Sequence, residues 1–91
     1  MTQAEIERML IEVVCQIQEI SGREGVDVTS DTRPVLDMPG FDSLNGVEST
    51  IELSGRINKD VPFNNIFVEE SKALSIRQAG TRLLACINGQ K

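Results

Sequence analysis

Three stretches of the chain repeat apolar residues at helical spacing. Ile6, Leu10, Val13, Ile17 and Ile20 follow one another at steps of 4, 3, 4 and 3, which lines them along one side of a helix and predicts an α-helix over residues 2–21. Thr2 with Glu5 three positions on has the form of a capping box at its start, and Gly22 is suited to stop it. A second helix is expected from near Ser43 to about Ile57, with Leu44, Val47, Ile51 and the Leu53/Ile57 pair as its apolar positions and Asp42 as its N-cap. Gly46 and Gly55 each weaken it by about 1 kcal/mol relative to alanine, so packing must hold it together. The last helix is expected to start at Ser75, with Gln78 completing a second capping box, and to run through Ile76, Ala79, Leu83 and Ile87 to Gly89.

The intervening segments read differently. From Ser21 to Phe41 the pattern dissolves into Gly22, Gly25, Thr29, Ser30, Asp31, Pro34, Pro39 and Gly40, a long loop whose apolar residues Val26, Val28, Val35, Leu36 and Met38 predict packing across the helix ends. Residues 63–74 hold Phe63, Ile66, Phe67, Val68 and Leu74 around Asn64-Asn65 and Glu69-Glu70, an irregular segment with room for one short helix. The fold class expected is all-α: a small four-helix bundle of three main helices plus a short third one, in a single domain over residues 1–91.

Composition narrows the chemistry. A chain of 91 residues has a thin core and little room for a deep, water-excluding cleft. It contains no histidine, so Ser-His, Cys-His and HExxH chemistries are excluded, and no catalytic residue or metal site is expected. Fourteen acids against nine bases give a net charge of −5, and the only aromatics are Phe41, Phe63 and Phe67. Such a surface lacks the basic patch and stacking rings of a nucleic-acid binder and suits basic protein partners instead. The four bases of residues 71–91, Lys72, Arg77, Arg82 and Lys91, read as a solvated helix face. Cys15 and Cys86 lack CxxC spacing and are expected to be free thiols. With no apolar run long enough for a signal region or a membrane span, a cytoplasmic monomer that does not bind membranes is expected.

The most informative stretch is Gly40-Phe41-Asp42-Ser43-Leu44, which sets a serine where a proline- and glycine-containing loop becomes a helix. Unpaired backbone N–H groups and the positive end of the helix dipole favour a phosphate at such a position. From position alone, a serine that merely takes part in the cap is the commoner case. Ser43 cannot be a self-activated nucleophile, because no histidine is available and there is no GxSxG elbow.

This segment resembles the acyl carrier protein family. Asp42-Ser43-Leu44 looks like the family's Asp-Ser-Leu attachment motif, Val47-Glu48 fits the Val-Glu that follows it, and Val61-Pro62 fits its hydrophobic-proline step, with Pro62 nineteen positions after Ser43. Leu53 and Ile57 stand where the family carries core leucine and phenylalanine, and the helix order matches over nearly the whole chain. The resemblance implies a carrier, not an enzyme. Ser43 would be modified from coenzyme A by a phosphopantetheinyl transferase that recognises Asp42 and Leu44. The 4′-phosphopantetheine arm would then shuttle acyl thioesters between enzymes of fatty-acid or related acyl biosynthesis. The family's partners present Arg and Lys patches to the second helix; here Leu44, Glu48 and Ile51 share one face, and with Glu52 they are the expected docking residues. Between Arg33 and Arg56 the chain holds four acids, Asp37, Asp42, Glu48 and Glu52, and no base. Two departures stand out: Ser54 and Gly55 replace a second acidic pair, and Ser49 and Thr50 lie where the family is usually apolar, which predicts a poor shelter for long acyl chains. An aminoacyl or peptidyl carrier of a nonribosomal pathway shares the serine chemistry, and a cofactor-free helical adaptor would use the same acidic face.

Overall fold

In the computed structural model, which describes residues 1–23 and 26–89, the chain folds into four helices and one minimal hairpin. Helix α1 spans Gln3–Ile20, α2 Pro34–Asp37, α3 Ser43–Ile57 and α4 Ile76–Ile87, while β1 (Val68–Glu69) and β2 (Lys72–Ala73) pair antiparallel between α3 and α4. The caps form where the sequence predicts them. Thr2 and Glu5 exchange side-chain and backbone hydrogen bonds at the start of α1, and Ser75 and Gln78 do so at α4. Gly22 follows α1 with a φ of +72°, the left-handed geometry that glycine adopts without steric cost.

α1 packs most closely on α4 and less extensively on α3. Ile6, Leu10, Val13 and Val14 of α1 meet Ile76, Ala79 and Leu83 of α4, with Leu53, Ile66, Phe67, Met38 and Phe41 completing the core. Gly80 allows the close approach, since a Cβ there would lie 2.9 Å from Gln3 Nε2 and 3.2 Å from Glu7 Cγ. The long loop caps α4: the N–H groups of Ile76 and Arg77 donate to the carbonyls of Thr32 and Ser30, and Ser30 Oγ and Gln3 Nε2 both donate to the Glu7 carboxylate. None of the described helices is long and apolar enough to cross a membrane.

The structure corrects the expected pattern in four places. No helix forms between residues 58 and 75. The short helix lies instead at Pro34–Asp37, where Pro34 presets the first turn, and residues 68–73 close as a hairpin whose turn residues Glu70 and Ser71 have φ of +50° and +66°. At the end of α1 the buried side shifts from Ile17 and Ile20 to Val14 and Gln18, and Ile20 is 75% exposed. The inward side of α3 is Asn45, Gly46, Ser49, Thr50 and Leu53 rather than an aliphatic stripe. It is tolerated because Ser49 and Thr50 hydroxyls donate to the carbonyls of Asn45 and Gly46 one turn back.

The fourth correction concerns Arg82, which is no solvated residue. Its Nη1 donates to the carbonyls of Asn65, Ile66 and Val68 at 3.0, 3.3 and 3.2 Å, and its guanidinium lies 3.9 Å from the centre of the Phe63 ring. Its Nε is buried without a hydrogen bond, 3.9 Å from a Glu69 carboxylate oxygen. Arg82 thereby joins α4 to the irregular strand that leads into the hairpin.

Candidate functional site

Ser43 is the first residue of α3 and is exposed. Asp42 caps the helix: its carboxylate accepts from the Asn45 N–H at 3.1 Å, its own N–H donates to Asn45 Oδ1 at 3.2 Å, and its carbonyl accepts from Gly46 N–H. The N–H groups of Ser43 and Leu44 and the Ser43 hydroxyl have no hydrogen-bond partner among the described residues. The residue is therefore fixed by its backbone and free in its side chain.

Three further elements hold that backbone. Phe41, 3% exposed, is driven into the core, where its ring meets Phe67 edge-on at 6.3 Å. On the α1 side, Arg23 donates through Nε to Gln18 and through Nη2 to Asn45 Oδ1, and Gln18 donates to the Pro39 carbonyl. Gly40 lets this happen: its φ is +75°, and a Cβ there would stand 2.3 Å from Arg23 Cδ. From the hairpin side, Asn65 Nδ2 donates to the Ser43 carbonyl at 3.0 Å while its Oδ1 accepts from the Phe67 N–H. Asn65 fits there because Gly46 has no side chain.

The other expected site residues lie on the outer face of α3. Leu44 and Ile51 are 65% and 68% exposed, and Glu48 lies on the same face between them. The acids are not equally free. Asp37 accepts from the Arg33 N–H and pairs with its guanidinium at 3.5 Å, which together hold its carboxyl below the usual carboxylate range. Glu52 pairs with Arg56 at 3.2 Å, and Arg56 also reaches Glu12 and Gln16 of α1. Asp42 and Glu48 have no cation within 4.0 Å among the described residues and are joined through Asn45, whose Nδ2 donates to Glu48 at 2.8 Å. The unpaired negative charge is thus concentrated at Asp42 and Glu48, next to the serine, with Glu52 at its neutralised margin.

Two clefts border α3. One, about 240 Å³, runs between α1 and α3 along Gln16, Ile17, Ile20, Glu48 and Glu52. The other, about 580 Å³, opens beside the serine and is lined by Val35, Leu36, Ser43, Val68, Ser71 and Ala73. Arg23, Asn45 and Asn65 are absent from the motif reading. The signals that could have found them are Asn45 in the capping-box position after Asp42 and Gly46 as an interior helix glycine that requires a close neighbour. Comparison with models of known families, with curated proteins and with solved structures returns no match to this chain.

Proposed function

We propose that the chain is a carrier of acyl thioesters, tethered through a 4′-phosphopantetheine arm on Ser43. The observation that carries this reading is a serine hydroxyl left without a protein partner at the head of α3, on a backbone secured by Asp42, Asn45, Asn65 and Phe41. A residue that served only as a cap would spend its oxygen on the helix, and here Asp42 does that work.

The residues fit the group. The N–H groups of Ser43 and Leu44, left unpaired at the positive end of the helix dipole, are donors that a phosphodiester on Ser43 Oγ would draw on. Loading consists of attack by Ser43 Oγ on the β-phosphorus of coenzyme A. The bond to 3′,5′-ADP breaks, and the serine proton passes to a base supplied by the transferase, since this chain has no histidine. Once bound, the arm supplies a terminal thiol for thioester exchange. Asp42 and Leu44 flank the serine for the transferase. Leu44, Glu48 and Ile51 form the face that meets partner enzymes, with Glu48 steering basic patches and the two aliphatic side chains supplying area to bury. Docking of this kind is brief and charge-guided, as transfer among several enzymes requires.

Mass spectrometry tests the reading directly. Incubation with coenzyme A and a promiscuous phosphopantetheinyl transferase should add one phosphopantetheine to the wild type and none to Ser43→Ala. A wild type that stays unmodified, while a known carrier in the same tube is fully loaded, refutes it.

A further inference from the structure

We infer that the cargo of this carrier rests in the surface cleft between α2 and the β-hairpin, outside the helical core, and that it is a short acyl group. The inference rests on the carrier reading above and concerns where the arm leads once it is attached.

The inward route from Ser43 is closed. Thr50 Oγ1 both donates to the Gly46 carbonyl and accepts from the Ile66 N–H at 2.8 Å, bonding α3 to the segment that precedes the hairpin. Asn65 fills the space above Gly46 with both ends of its amide engaged. Arg82 ties the carbonyls of the same segment to α4. An apolar chain entering between α3 and this segment would strip partners from buried polar groups and offer none in return.

The outward route is open and shaped. The cleft of about 580 Å³ begins at Ser43 itself, and its size falls within the roughly 300–1,000 Å³ of small-molecule sites. Val35 and Leu36 of α2 form one wall, and Val68 and Ala73 of the paired strands form the other. Leu36, 62% exposed, is an apolar side chain that packing within the domain leaves uncovered. Ser71 adds a hydroxyl with no partner among the described residues, suited to an amide of the arm, and it is held at the rim by a turn in which it and Glu70 both take left-handed backbone angles. An open cleft with aliphatic walls covers a few carbons and leaves a long chain in water, which sets the cargo class.

The experiment loads the full chain in one step from butyryl- or dodecanoyl-coenzyme A and follows it by ¹⁵N and methyl NMR. For the butyryl form, shifts should cluster at Leu36, Val68, Ser71 and Ala73, with Leu53, Ile66 and Phe67 unmoved. Hydrolysis of the butyryl thioester should be at least about threefold slower than that of butyryl-pantetheine. Leu36→Glu, its loading measured first by intact mass, should abolish that protection, and the dodecanoyl form should show no further protection. Shifts that enter Leu53, Ile66 and Phe67 and grow with chain length overturn the inference, as does a loaded protein whose hairpin signals stay unchanged. Absence of any loading removes the carrier reading as well, and intact mass measured first separates that failure from the others.

Discussion

Gly46 and Gly55 lie in the same helix, and substitution of each by alanine should move stability in opposite directions. At Gly55 an added Cβ meets nothing within 4 Å, so alanine contributes only its helix propensity, about 1 kcal/mol. For a domain of this size that raises the melting temperature by about 4–8 °C. At Gly46 the same intrinsic gain is opposed by contact. The new Cβ would stand 2.4 Å from Asn65 Oδ1, 2.5 Å from Nδ2 and 2.7 Å from Cγ, so the whole amide must leave. It would abandon the Ser43 carbonyl and leave the Phe67 N–H without its acceptor. Two lost hydrogen bonds, one exposing a half-buried donor, cost about 2–4 kcal/mol and leave a net loss of about 1–3 kcal/mol. Urea and thermal unfolding followed by circular dichroism at the helical band would read both variants. A double-mutant cycle sharpens the test: in the Gly46→Ala background, Asn65→Ala should cost far less than it does alone, because the bonds are already broken. If Gly46→Ala raises the melting temperature as Gly55→Ala does, the placement of Asn65 over the start of α3 is wrong, and so is the account of how Ser43 is held.

Arg82→Met keeps the aliphatic stem but removes the donor to three carbonyls, and should cost about 2–3 kcal/mol in urea unfolding, with faster hydrogen exchange at the Leu74 N–H; Arg82→Lys should recover only part of it. Glu7 is held below the ordinary glutamate value by the hydrogen bond from Ser30 and then by that from Gln3, so its contribution is complete above about pH 4.3 and is lost as pH falls through its lower folded value. Glu7→Gln should therefore be less stable than wild type at pH 7, and the gap should close as pH falls below the ordinary glutamate range, measured by urea midpoints along a falling pH series. Asp42→Ala should cost about 1 kcal/mol as a lost N-cap, and Asn45→Ala more, since Asn45 also joins Arg23 and Glu48. Glu48→Gln, which keeps an acceptor for Asn45 Nδ2, should leave stability within about 0.5 kcal/mol while slowing transfer to a basic partner in a salt-sensitive manner.

Local grammar made much of the fold readable in advance. α1 and α4 announce themselves through steps of three and four and through Thr2/Glu5 and Ser75/Gln78, all interactions within one turn. Asp42 and Ser43 are legible for the same reason. α3 is harder because its exposed side carries Leu44 and Ile51 and its inner side carries Asn45, Ser49 and Thr50, so a hydrophobic count points outward. Hydroxyls that return their hydrogen bonds to the preceding turn can be buried at little cost, and periodicity does not register this. The hairpin escapes notice because its strands have two residues each and its turn is Glu70-Ser71 instead of Asn-Gly. Arg23, Asn65 and Arg82 each reach at least one partner 14 or more residues away, and contacts at that separation leave no mark on a linear pattern.

The tight seam at Ala79 and Gly80 has a consequence for biosynthesis. Because α1 finds its principal neighbour in α4, a nascent chain that has emerged only through the hairpin still exposes Ile6, Leu10 and Val13 to water. Closure waits for Leu83 to leave the ribosome and then engages α1 and α4 at once, so cleavage within α4 should unravel the whole domain rather than fray one edge of it.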